Sequence, residues 1–206
     1  MQNSSLLFLF TIRYRSEAYL ALGFSAFLAA AQDAPKGLRV NDAAPAFAAK
    51  DQKGNTISLK EQLKKGPVVL LFYRGQWCPY CNKQLKRMED SLSLITAKGA
   101  TVIAVTPEKP ENIVKTIQKT NASYSILYDE GLKILKSYDV AYALDEKGIA
   151  RYKSYGIDFA QANGSNGANL PVPALYIIGK DGKISYRYFD ADYTKRPSVA
   201  EILSNL

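Results

Sequence analysis

Cys78 and Cys81 are the only cysteines in the 206-residue chain, and two residues separate them in "LFYRGQWCPYCNKQL", Leu71 to Leu85. A pair at this spacing serves as a redox centre, a metal clip or a structural staple. It makes a poor staple, because closing so short a loop removes little entropy from the unfolded chain. Zinc needs four ligands, and with no histidine and no further cysteine only carboxylates remain to complete a site. The absence of histidine also removes Ser/His and Cys/His catalytic pairs. Thiol chemistry is left: a thiolate attacks, and the second sulfur closes a disulfide across one helical turn. No metal or other cofactor is expected.

The flanking elements place the pair. "GPVVLLFY" (Gly66 to Tyr73) reads as a buried strand. In "PYCNKQLKRMEDSLSLITAKG", Leu85, Met88, Leu92 and Ile95 recur at helical spacing, and Gly99 closes the segment. Cys78 therefore falls between a strand and the first turn of a helix, where backbone amides and the helix dipole favour a thiolate. Cys78 is expected to be the exposed attacking sulfur and Cys81 the more buried resolving sulfur. Pro79 stiffens the helix start, where its missing N–H costs nothing. Arg74 either adds a positive field or is a solvated charge at the strand end. Trp77 and Tyr80 either wall the site against water or are ordinary packing residues. Far along the chain, "LPVPALYIIGKDGKI" sets Pro173 immediately before a strand. It is either a simple strand-opening proline or part of a cis bond after Val172. The second reading brings an exposed backbone edge up to the cysteines, where a substrate segment can pair with it.

The other elements supply a scaffold. "ATVIAVTP" (Ala100 to Pro107) and "YSILYD" (Tyr124 to Asp129) read as strands, and Pro110 to Asn121 and Glu130 to Tyr142 as helices. "PALYIIG" and "KISYRYFD" flank "KDG" as a β-hairpin, and "RPSVAEILSNL" closes the chain as a helix. Alternating strands and helices ending in a hairpin predict an α/β fold with a central mixed β-sheet and helices on both faces. The segment Leu144 to Leu170, with "QANGSNGAN", reads as a long surface loop.

The N-terminus reads as a targeting segment. Arg13 and Arg15 precede "YLALGFSAFLAAA", an apolar run too short to span a bilayer comfortably, which ends in an Ala-x-Ala cleavage pattern at Ala29–Ala31. Residues 1–31 are expected to be a signal peptide and residues 32–206 the mature domain, exported to a bacterial periplasm or beyond the cell. An uncleaved membrane anchor is the alternative. After cleavage no stable membrane association is expected. The formal charge of +8 comes from 27 Lys+Arg against 19 Asp+Glu, scattered along the chain, so nucleic acid is not an expected partner. In an exported chain, disulfide chemistry meets an oxidising compartment.

"WCPYC" after an apolar strand, with a distant "VPALYII", resembles the thioredoxin superfamily. "APAF", the "KGN" turn, "PVVLLFYRG" and the late "DYTKRP" fall in the order of the alkyl hydroperoxide reductase/thiol-specific antioxidant family, and resemble its peroxiredoxin-like C-x-x-C branch. The resemblance implies a thioredoxin-like fold with Cys78 as the reactive thiol. It also implies a thiol or thioredoxin-like electron donor, and a disulfide-containing protein or a peroxide as substrate. The family's peroxidases carry P-x-x-x-T-x-x-C and an arginine from a later strand. Counting back from Cys78, the Thr and Pro positions hold Gly75 and Leu71; counting back from Cys81, they hold Cys78 and Arg74. Pro173 stands about where the arginine is expected, and Arg187, one strand later, is the candidate to replace it. Thiol–disulfide exchange is the first expectation and peroxide reduction the second. A partner-binding module with a passive disulfide is the third.

Overall fold

The computed structural model describes residues 34–206. The expected signal peptide therefore lies outside the described residues. The elements in order are β1 (Ala48–Lys50), β2 (Thr56–Ser58), α1 (Leu59–Lys65), β3 (Val68–Phe72), α2 (Pro79–Asp90), α3 (Leu92–Ala97), β4 (Thr101–Thr106), α4 (Pro110–Thr120), β5 (Ser125–Tyr128), α5 (Lys133–Ser137), β6 (Ala141–Ala143), α6 (Glu146–Ser154), α7 (Phe159–Asn163), β7 (Asn169–Pro171), β8 (Ala174–Ile178), β9 (Ile184–Phe189) and α8 (Val199–Ser204).

The main sheet has five strands in the order β5-β4-β3-β8-β9. β3 runs parallel to β4 and antiparallel to β8, so the sheet is mixed, as expected from the element order. β3 is central and apolar throughout because both its faces are covered. Its side chains alternate between two cores. Val68, Leu70 and Phe72 pack with α1 and α5 on one face; Val69, Leu71 and Tyr73 pack with α2, α3, α4 and α8 on the other. β1 with β2, and β6 with β7, form two small antiparallel ribbons outside this sheet.

Three expectations are corrected. The helix read through Gly99 breaks at Ser91 (φ −112°, ψ 10°), whose carbonyl starts a new helix by accepting from Leu94 and Ile95. The helix expected over 130–142 is shortened, because Gly131 and Leu132 have positive φ and the chain from Ala141 pairs with Pro171. The segment Leu144 to Leu170 is not a loop but α6, α7, a 3₁₀ turn and β7. Asp145 caps α6 at the Gly148 amide, and Asp158 caps α7 at the Ala160 amide. The Asn-rich stretch is ordered by its side-chain amides. Asn166 Nδ2 donates to the carbonyls of Pro107 (2.8 Å) and Asp129 (3.0 Å), and Asn163 Nδ2 donates to those of Gly167 and Asn169.

Candidate functional site

Tyr73 to Trp77 lead from the buried end of β3 into α2. The turn is closed by the Cys78 amide donating to the Gly75 carbonyl at 3.0 Å. Cys78 caps α2 with extended backbone (φ −87°, ψ 109°), Pro79 follows in the first turn, and Cys78 Sγ accepts from the Cys81 amide at 3.3 Å. Both thiols are free. The strand-to-helix placement is thus as expected, but the exposure is not: Cys78 is 1% exposed and Cys81 0%. What covers them comes from distant parts of the chain.

The pair sits in a positive field. Arg74 is 1% exposed, so it is no solvated strand-end charge. Its guanidinium lies over the rings of Tyr193 (4.1 Å), Trp77 (5.1 Å) and Tyr152 (5.4 Å), and donates to the Tyr152 hydroxyl. Its Nε and Nη1 have no hydrogen-bond partner among the described residues. Arg196 Nη2 reaches Cys81 Sγ at 3.5 Å, while its Nε donates to Gln84 Oε1 at 2.7 Å.

The two sulfurs are pushed in opposite directions. The hydrogen bond to Cys81, then burial, pushes the Cys78 thiol well up. For Cys81, burial works upward, but the hydrogen bond from Cys78, the Arg196 charge and the Arg74 amide and charge outweigh it and bring the thiol down to about 6. The pair therefore gives up its first proton readily and its second with difficulty, as expected for two sulfurs in one hydrogen bond.

A buried carboxyl lies beside the turn. Glu108, just after β4, is fully buried, and its Oε2 accepts from the Gln76 amide at 2.6 Å. Burial pushes its carboxyl up to about 8, and the charge on Cys81 adds to the rise. Its Oε1 and the Trp77 indole Nε1 have no partner among the described residues. Gly75 makes this packing possible: a Cβ there meets Trp77 Nε1 at 2.5 Å and Glu108 Oε1 at 2.7 Å.

Trp77, next to Cys78, packs edge-on against Tyr152 (5.3 Å) and Phe159 (6.1 Å). Both partners come from the segment read as a loop. Tyr80 is 42% exposed and faces Tyr193, 6.0 Å between ring centroids, so it rims the site rather than sealing it. Phe72 pairs with Ala174, which brings Pro173 to the end of the sheet where the Cys78 turn departs. The expected free backbone edge is not there. No peptide bond among the described residues is cis, so Pro173 is the strand-opening proline. The Val172 amide is taken by the Val140 carbonyl at 2.8 Å, and the Pro173 carbonyl accepts from the Asp190 amide at 3.4 Å. Arg187 is also elsewhere, donating to the Lys36 carbonyl and stacked on Phe189. The late arginine that reaches the pair is Arg196, at Cys81 Sγ. The only sequence signal for Tyr193 and Arg196 was their place in "DYTKRP"; Glu108 and Tyr152 carried none.

The sheet, the helices on both its faces and a dithiol at the start of α2 define a thioredoxin-like fold of the peroxiredoxin type. The chain belongs to the AhpC/TSA family, whose pattern matches residues 40–187. It is 33% identical over 121 residues to Peroxiredoxin Q, chloroplastic, of Populus jackii, a match covering 53% of this chain and 56% of that protein. The chain thus spans little more than half the length of that relative. It is 26% identical over 165 residues to Thiol-disulfide oxidoreductase ResA of Bacillus cereus, covering 80% of this chain and 77% of that protein. Among solved structures, peroxidoxin BcpB of Mycobacterium tuberculosis shares the fold with a TM-score of 0.63 at 19% identity, covering 82% of this chain and 96% of that one.

Proposed function

We propose that this protein is a thiol–disulfide oxidoreductase working through Cys78 and Cys81. The observation that carries the reading is the placement of the dithiol at a helix start, with the Cys81 amide donating to Cys78 Sγ and Arg196 Nη2 3.5 Å from Cys81 Sγ. The long match to a thiol-disulfide oxidoreductase supports it. In the reduced protein, Cys78 Sγ passes its proton to the Cys81 thiolate as it attacks one sulfur of a substrate disulfide, and Cys81 gives that proton up to the departing thiolate. A mixed disulfide forms, and the other substrate sulfur leaves as a thiolate. Cys81, one turn on, then attacks Cys78 Sγ, releases the second substrate thiolate and leaves a Cys78–Cys81 disulfide. The substrate disulfide gains two electrons and the protein loses two. An external thiol or a thioredoxin-like protein restores the dithiol.

Peroxide reduction is the second reading, favoured by the similarity to peroxiredoxin Q. Against it, Gly75 supplies no hydroxyl to a bound peroxide, and its Cα is closed in by Glu108 and Trp77. Export is proposed on the N-terminal pattern of residues 1–31. Among the described residues no helix is long and apolar enough to cross a membrane.

The test is rapid mixing of the reduced protein with hydrogen peroxide and, separately, with oxidised glutathione, followed by Trp77 fluorescence. Fast exchange with the disulfide, slow reaction with peroxide, and a trapped mixed disulfide in Cys81→Ser are expected. Fast peroxide reaction with slow exchange reverses the order of the two readings. Full function in the variant lacking both cysteines eliminates both and leaves a binding module.

A further inference from the structure

We propose that the segment from Asp190 to Pro197 is a strap that closes over the dithiol and admits substrates by size, with Tyr193 as its cover and Arg196 as its latch. The inference rests on the dithiol being the reactive centre. A buried sulfur cannot meet the sulfur of a folded protein, so some part of the cover must move.

Two covers are present, and they are held differently. The α6–α7 wall is bound at α7 and at both its ends, while α6 itself is joined to the site through Tyr152, whose hydroxyl accepts from Arg74. Leu144 pairs with Ala168, the Lys109 amide donates to the Ala162 carbonyl, Asn112 donates to that same carbonyl, and Asn166 bridges two other segments. The strap is bound at its ends. The Asp190 amide donates to Pro173 at one end, and at the other Pro197 is buried and Ser198 caps α8. Between them, Asp192 and Thr194 fold the strap on itself through bonds to Asp190 and Asp192. Among the described residues, the hydrogen bonds from this stretch to the rest of the protein all come from Arg196, to Gln84 and Cys81. Apart from these, its hold is the Tyr193 ring on Arg74 and Tyr80. The strap is therefore the part that opens at least cost, because few contacts are lost.

Opening has a chemical consequence. The latch is also the cation facing Cys81. A large substrate that lifts the strap removes that charge and makes Cys81 a stronger base and nucleophile, the condition needed to resolve a mixed disulfide. A small molecule that slips beneath the strap meets the dithiol with the charge in place.

The test uses the reduced full chain and two probes with the same reactive group, N-ethylmaleimide and a polyethylene-glycol maleimide. Loss of the Tyr193 ring in Tyr193→Ala is expected to speed the bulky probe by about 5–30-fold, the population change that one lost cation–π contact gives, and the small probe much less. Tyr193→Phe keeps the ring and is expected to behave as wild type. Arg196→Gln is expected to speed the bulky probe and also to move the pH midpoint of thiol alkylation upward, whereas Tyr193→Ala leaves that midpoint unchanged. Equal acceleration of both probes, or of neither, in Tyr193→Ala overturns the strap. Failure of the wild-type dithiol to exchange with any disulfide overturns the functional reading instead, and these probes do not depend on it.

Discussion

Gly75 and Glu108 are packed so closely that a methyl group on Gly75 falls 2.7 Å from Glu108 Oε1. The same methyl meets Trp77 Nε1 at 2.5 Å, so two buried groups of the site share the space that a side chain at position 75 needs. When the peroxidase pattern is counted back from Cys78, position 75 is where threonine is expected. Installing the hydroxyl there therefore displaces the carboxyl and the indole. Gly75→Ala is expected to destabilise the fold by about 1–3 kcal/mol through overpacking. Urea unfolding checks this, and an unchanged midpoint means the contact is relieved elsewhere.

Glu108 makes stability depend on pH. Its carboxyl titrates near 4.5 when unfolded and at about 8 when folded. Between those values the folded state keeps a proton that the unfolded state has lost. Stability from this group is therefore complete below the unfolded value and falls as pH rises through the window, by up to about 1.4 kcal/mol per pH unit. Glu108→Gln is expected to flatten that slope in urea unfolding series at acid and neutral pH. A slope equal to wild type assigns the dependence to another group.

Arg74 offers a separation of stability from reactivity. Its guanidinium is buried with two donor nitrogens unpartnered among the described residues. Arg74→Met keeps much of the volume and removes the cost of that burial, so stability is expected to hold or rise. The positive charge that lowers both sulfurs is lost. The pH midpoint of thiol alkylation is expected to move upward while the urea midpoint does not fall. A large fall in stability with an unmoved alkylation profile makes Arg74 a packing residue only.

Asn166 ties the site wall to the sheet ends. It donates to Pro107 and Asp129, and its Oδ1 accepts from the Gly131 amide at 2.9 Å. Asn166→Ala removes the Asn166 bonds from the buried Pro107 and Asp129 carbonyls and from the exposed Gly131 amide, leaves Asp129 its bond from the Leu132 amide, and is expected to cost about 1–3 kcal/mol. Loosening of Tyr152 and Phe159 against Trp77 is expected to change the native fluorescence before global unfolding. A single coincident transition with native-like fluorescence shows instead that the wall is held by its other bonds.

Residue order alone determined the scaffold and the reactive pair. The continuous apolar run of β3, the helical spacing of Leu85 and Met88, and the hairpin at "KDG" are local patterns, and a local pattern fixes an element and its neighbour. The three-residue strands β1, β2, β6 and β7 were missed because so short a run has no periodicity to read. The Asn-rich segment was misread because its order comes from side-chain amides bonded to Pro107 and Asp129, residues far away in the chain.

Tertiary structure decided the electrostatics and access of the site. Arg196 lies 115 residues from Cys81 in the chain and 3.5 Å from its sulfur in space. Glu108 is raised because packing removes its water, and Arg74 is held beside the pair under the rings of Tyr193 and Tyr152, which come from distant segments. Charge and solvent act through distance and burial, and neither is written in the spacing of residues along the chain.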